Sequence, residues 1–227
     1  MSRRQFMRTN EIDIEADGTI YNSLRDFGLA IGNTDYIREP VVDESNLVFV
    51  PGRAMPLDMS DDVFGGTIYK YREISIDFGG IRHPQDWDVT ISHFRNLFEG
   101  KTVKIWFLTD PEWYWTGKAR IESFSHKRAL GEFTLRIPYA DAYKQRERTV
   151  ELQTAQQGTE IMFYNAGRKV IPTITTDAEI MIVCGTISVS LSAGTWRNTS
   201  LALPTGQTQW TITGSANVTI EYTERSL

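Results

Sequence analysis

Between residues 100 and 124, apolar and polar side chains alternate in two successive runs. Val103, Ile105 and Phe107 share one parity, while Trp106 and Leu108 put apolar surface on the other, which predicts a central strand covered on both sides toward its end. Asp110-Pro111 supplies a turn, because proline fixes φ and an aspartate side chain caps the backbone. A second run then starts, with Trp113, Trp115, Ala119 and Ile121 on one face and Lys118, Arg120 and Glu122 on the other. The two runs read as a hairpin with one wet face. Its tryptophans suit either a stacking platform for sugars or bases or a hydrophobic core, and aromatic clusters in strands are more often core.

Around this hairpin the pattern is mostly that of short strands. Residues 1–45 alternate weakly, with strand candidates at 11–15, 19–22 and 29–31 separated by Asp17-Gly18, Phe27-Gly28 and Gly32-Asn33, as in a meander. Residues 46–50 form a firmer strand stopped by Pro51-Gly52, and residues 67–78 a long one with Ile74, Ile76 and Phe78 inward. The polar, acidic stretch 58–66 between them reads as a loop. One helix is predicted: Asp86 or Asp88 as N-cap, then Trp87, Ile91, Phe94, Leu97 and Phe98 at steps of three and four, then Gly100 beyond its end. Residues 131–139 add a strand with Phe133, Leu135, Ile137 and Tyr139 on one side.

Residues 144–149 are a charged run, and the composition changes after it. Residues 146–227 carry 6 basic and 7 acidic side chains, against 18 and 22 in the first 145, so a domain boundary is expected between 145 and 146. Seven short strands are predicted beyond it, at 160–165, 172–176, 179–183, 187–191, 200–203, 209–213 and 218–222. With turn signals between them and no helix, they argue for a β-sandwich or jelly roll. The fold class is therefore mainly β: a β-rich amino-terminal domain with one short helix, 1–145, and a sandwich, 146–227.

The net charge of −5 and pI near 5.3 give no footprint for nucleic acid. A single cysteine, Cys184, excludes an internal disulfide or a multi-thiolate metal site, and its apolar run predicts a buried side chain. The first residues, Met-Ser-Arg-Arg-Gln-Phe-Met-Arg, lack an apolar stretch after their charges, and no segment has membrane-spanning length, so a soluble protein made in a cytoplasm is expected. The histidines His83, His93 and His126 have no partner at metal spacing. Asp61-Asp62 lies in a predicted loop, and Asp86 and Asp88 are explained as a helix cap. No nucleophile elbow, phosphate-cradling loop or dinucleotide fingerprint is present. The sequence predicts no enzyme, no cofactor and no metal.

Several segments occur in an order that extends the reading: Val50-Pro51-Gly52-Arg53 with Leu57-Asp58, Tyr71-Arg72-Glu73-Ile74, Phe98-Glu99-Gly100-Lys101, Asp110-Pro111-Glu112-Trp113-Tyr114-Trp115-Thr116-Gly117, and Gly167-Arg168-Lys169-Val170-Ile171-Pro172. Over nearly the whole chain this resembles the distal tail proteins of long-tailed bacteriophages and prophages of Gram-positive bacteria. One departure is Gly52-Arg53-Ala54-Met55, where similar proteins often carry Gly-Arg-Asp-Gly. The resemblance implies a belt domain that assembles into a homohexameric ring at the virion's tail tip, and a galectin-like sandwich that serves as a docking surface. It implies, as partners, the tail tube protein, a tail-associated protein of the tip, and receptor-binding or baseplate proteins, with synthesis in the bacterial host cytoplasm. The alternative is a carbohydrate-binding module for cell-wall glycans, with Trp196 and Trp210 as its platform, although both tryptophans are expected to pack inward.

A closed ring needs one surface to meet a different surface of the next copy, and an exposed strand edge suits this because it can pair with a neighbour. The long strand 67–78 is the candidate. Its Tyr69, Tyr71 and Glu73 face away from Ile74 and Ile76, and with Arg53 and Asp58 they offer the aromatic and charged groups of a subunit contact.

Overall fold

The computed structural model describes residues 10–32, 37–52, 54, 55, 57, 58, 69–83 and 85–227. It divides into two compact units, residues 1–142 and 143–227. In the first unit, β1 (Ile12–Ala16), β2 (Thr19–Asn22), α1 (Ser23–Phe27), β3 (Ala30–Ile31), β4 (Val41–Val42), β5 (Leu47–Val48) and β6 (Leu57–Asp58) are short. They lead to β7 (Tyr69–Ile81), α2 (Asp86–Phe98), β8 (Thr102–Phe107), β9 (Tyr114–Lys118), β10 (Arg120–Lys127) and β11 (Leu130–Ala140).

Hydrogen bonding gives the order β9-β8-β1-β2 in one sheet and β10-β11-β7-β3, with β4 also on β7, in another. Period-2 alternation turns Ile12, Ile14, Val103, Ile105 and Phe107 of the first sheet inward, and Ile74, Ile76, Phe78, Phe133, Leu135 and Ile137 of the second. The apolar stripe of α2 joins the same core: Phe94 meets Phe133 at 5.0 Å and Phe27 at 5.1 Å between ring centres. Each such side chain contributes about 1.5–3 kcal/mol by leaving water. Asp86 and Asp88 do not cap α2. Gln85 occupies the N-cap without a side-chain bond, and the two carboxylates sit in the first turn, where they complement the helix dipole.

The one-helix expectation is corrected by α1. This single turn is capped by Asn22, whose Oδ1 accepts from Leu24 and Arg25, and closed by Gly28 in the left-handed conformation.

A second correction concerns the hairpin. Its first half is as expected: β8 is central, between β1 and β9. The second run, continuous in parity, is two strands in two sheets. β9 pairs with β8, and β10 pairs with β11. The corner is Ala119, fully buried, whose N–H donates to Lys101 and whose carbonyl accepts from Gly100. Glu99 accepts from the N–H of Ile121. Strands that change sheets make such corners, and the small side chain lets the chain pass through the core. Trp115 is buried, whereas Trp113, one residue ahead of β9, is only half-buried.

The second unit contains β12 (Lys144–Gln153), β13 (Thr159–Asn165), β14 (Thr173–Thr176), β15 (Ile180–Cys184), β16 (Ile187–Leu191), β17 (Gly194–Arg197), β18 (Gly206–Thr213) and β19 (Asn217–Ser226). One sheet runs β17-β14-β19-β12 and the other β13-β18-β15-β16, all antiparallel. Ile174, Val218 and Ile220 from the first meet Phe163, Ile182, Trp210 and Ile212 from the second in one core, which is the expected sandwich.

Three details differ from expectation. The charged run 144–149, where a boundary was expected, is the first half of β12, paired throughout with β19, and the units divide at 142/143. Residues 200–203 are not a strand: a 3-10 turn at Thr199–Leu201, capped by Asn198, delivers Leu201 and Leu203 to the core. Cys184 is half-buried at the core's edge. Among the described residues no helix is long and apolar enough to cross a membrane.

Candidate functional site

The strand expected over 67–78 is β7 from Tyr69 onward, with 67 and 68 outside the described residues, and its edges are largely paired. β7 pairs with β11 from Arg72 to Ile81 on one side, and with β3 at Phe78 and Gly79 and β4 at Tyr69 and Tyr71 on the other, which leaves little free edge for pairing with a second copy. What it offers is a face. Tyr71 stacks edge-on against Tyr139 at 5.0 Å and lies opposite Val41, while Tyr69 lies opposite Val42. Tyr139 was expected inward. A register shift between Ile137 and Ala140, at Pro138, turns it outward, where it is 66% exposed. The bulge packs tightly: a Cβ on Gly117 would overlap Ile137 and the backbone of Ala140, so β9 carries glycine there.

Beside the tyrosines runs a chain of charges. Arg136 donates to Glu73 at 2.9 Å and to Glu122 at 3.4 Å, and Arg38 approaches Glu73 at 3.7 Å. The hydrogen bond to Glu73, and then the charge of that carboxylate, raise the Arg136 pKa above its ordinary value. Of the five residues expected at a ring contact, the structure brings Tyr69, Tyr71 and Glu73 onto this face. Asp58 lies on the separate β5–β6 ribbon, and Arg53 is outside the described residues. Tyr139, Val41 and Val42 were missed. That ribbon and the segment after β5 also expose apolar surface, with Phe49 and Met55 each more than three-quarters exposed.

Asp61 and Asp62 lie outside the described residues, and no group of three or more His, Cys, Asp or Glu able to hold a metal occurs among the described ones. Of the proposed sugar platform, Trp210 is fully buried and cannot stack on a ligand. Trp196 departs from its expected inward packing: it is 40% exposed on β17 and donates to the carbonyl of Ser192.

The second unit holds a cleft of about 570 Å³. Five of the seven cationic side chains of residues 143–227 line it: Arg148, Arg168, Lys169, Arg197 and Arg225, against Glu147 and Glu221. Its floor includes a row across four strands, Arg197, Thr173, Glu221 and Thr149, set by the registers of β17, β14, β19 and β12. One wall is the segment Gly167–Ile171, a stretch the sequence analysis singled out. The N–H of Arg168 donates to the carbonyl of Arg225, and Val170 exchanges hydrogen bonds with Leu203. A Cβ on Gly167 would collide with the Arg225 backbone, which is why the wall starts with glycine. Arg168 donates to the Tyr143 hydroxyl at 2.7 Å and stacks on its ring.

No family model matches this sequence, and no curated protein matches it. The fold is similar to the crystal structure of the Dit protein of phage SPP1, described as a paradigm of the hub adsorption apparatus in phages that infect Gram-positive bacteria. The TM-score is 0.55 and the identity 17%, over 95% of this chain and 99% of that one. At that identity the likeness is one of fold.

Proposed function

We propose that the chain is a structural subunit of a phage tail tip. In this reading the first unit closes a homohexameric ring, and the ring joins the tail tube to the tail-associated, receptor-binding or baseplate proteins, for which the second unit is a docking surface. The subunit has no enzymatic role, and its place is the virion's tail tip after synthesis in the host cytoplasm. The observation that carries the reading is that the fold likeness to the SPP1 hub protein spans both units of this chain and nearly all of that one. The outer face of β7 supports it further, because an exposed tyrosine, Tyr139, stacked on the half-buried Tyr71 and rimmed by Arg–Glu pairs, has the composition of a subunit interface.

The test is negative-stain imaging and light scattering of the full chain at rising concentration. Six-fold rings are expected, and Tyr71→Asp with Tyr139→Asp should leave monomers of unchanged melting temperature. Rings of another symmetry would sink the hexamer. Rings formed equally well by the double variant would remove this face from the contact.

A further inference from the structure

The basic cleft of the second unit lies apart from the β7 face proposed for ring contact, and its chemistry is unusual for this chain. The protein carries a net charge of −5, yet this one concavity gathers five cations against two carboxylates. Holding like charges together is unfavourable unless something compensates them. Two have partial compensation within the unit: Arg148 approaches Glu224 at 3.7 Å, and Arg168 leans on Tyr143. Lys169, Arg197 and Arg225 are exposed and make no ion pair among the described residues. The side chain of Arg197 donates a 3.4 Å hydrogen bond to the Ile171 carbonyl.

We propose that this cleft is a binding site for an acidic peptide segment of a partner protein, whose carboxylates are taken by Lys169, Arg197 and Arg225. Guanidinium groups accept carboxylates through paired N–H donors, so two arginines and a lysine around one groove define an acidic sequence rather than a single ion. The floor decides between a peptide and a phosphate polymer. Glu221 is an exposed hydrogen-bond acceptor in the middle of the cross-strand row, between Thr173 and Thr149. A polyphosphodiester carries a charge at every repeat and would bring it onto Glu221, whereas a peptide brings backbone N–H donors for it and carboxylates for the cations. Val170 and Ile171 on the wall provide apolar contact for the aliphatic parts of a side chain. The inference stands whether or not the protein forms a ring.

The experiment uses the full chain and a fluorescein-labelled hexaglutamate peptide followed by anisotropy, with hexalysine and poly(glycerol phosphate) as comparison probes. Hexaglutamate should bind at about 50 mM salt and weaken severalfold by about 200 mM, as screening requires. Lys169→Glu with Arg197→Glu should lower its affinity roughly tenfold or more, with the circular dichroism melt unchanged. Lys118→Glu with Lys127→Glu, the same charge change at exposed positions of the first unit, should have little effect. Absence of hexaglutamate binding at low salt, or equal losses in both double variants, would overturn the site. Tighter binding of poly(glycerol phosphate), lost in the cleft variant, would overturn the peptide as its occupant.

Discussion

The smallest helix of the protein shows how much a few side chains can decide. Five residues cannot hold a helix by propagation alone, so α1 depends on its ends. Asn22 accepts from the N–H groups of Leu24 and Arg25, and its own N–H donates to Asp26 Oδ2 at 2.7 Å, a reciprocal cap closed on the first turn. The hydrogen bond from the neighbouring Arg25, and then that from the Asn22 N–H, hold the Asp26 carboxyl at about 2, well below its ordinary value. A carboxylate with a depressed folded pKa stabilises fully above its unfolded value near 4 and loses that contribution as pH falls toward 2. Asp26→Asn should therefore make stability less steep in pH over that window than in the parent, as measured by urea unfolding at pH 4 and pH 2.5. An equal slope in both proteins would mean that the cap acts without the charge. The cap escaped the sequence reading although Asn22 and Gly28 are ordinary boundary residues, because one helical turn leaves no periodicity to detect.

At the scale of elements, burial explains which strands were legible. β7, β11 and α2 each have one face in a single core, so their spacing declares them. The run from Trp113 to Ile121 has the same clean parity but crosses a corner at Ala119, and parity carries no information about which sheet a strand joins. β12 was hidden for a different reason. Its outward and end positions are charged, and its partner β19 lies some 70 residues away in sequence, so a paired strand looked like a solvated linker. The corner also separates two tryptophans that the sequence treats alike. Trp115, 6% exposed, lies under the guanidinium of Arg72 at 4.3 Å, and Arg72 is itself buried and donates to the Ala142 carbonyl. Trp115→Ala should cost about 3–5 kcal/mol, since it opens a cavity and strips Arg72 of its stacking partner. Trp113→Ala, at a half-buried position outside the strand, should cost clearly less. Urea melts of the two variants check the order, and equal losses would show that Trp113 belongs to the core.

For the whole molecule, two cores account for two compact units, residues 1–142 and 143–227. The candidate surfaces were less legible than the fold. The tyrosine face depends on a bulge that no spacing announces, and the cleft collects cations that stand at positions 148, 168, 169, 197 and 225, too dispersed to register as a basic cluster in an acidic chain. Only the Gly167–Ile171 wall had a signature in sequence. The run 144–149 supplies a decisive check on the division. As an exposed linker, its Lys144, Arg146 and Arg148 would be early trypsin sites. In the structure each lies in the β12–β19 ladder, and Arg146 is bound to the fully buried Glu224. A protease needs an extended backbone free of such pairing, so cleavage there requires local opening of the ladder. In a native trypsin time course analysed by mass, cuts after Lys144, Arg146 and Arg148 should be slow compared with cuts at the exposed Arg128 turn between β10 and β11. Early and selective release of a fragment starting at 145, 147 or 149 would mean that β12 is not held in its sheet.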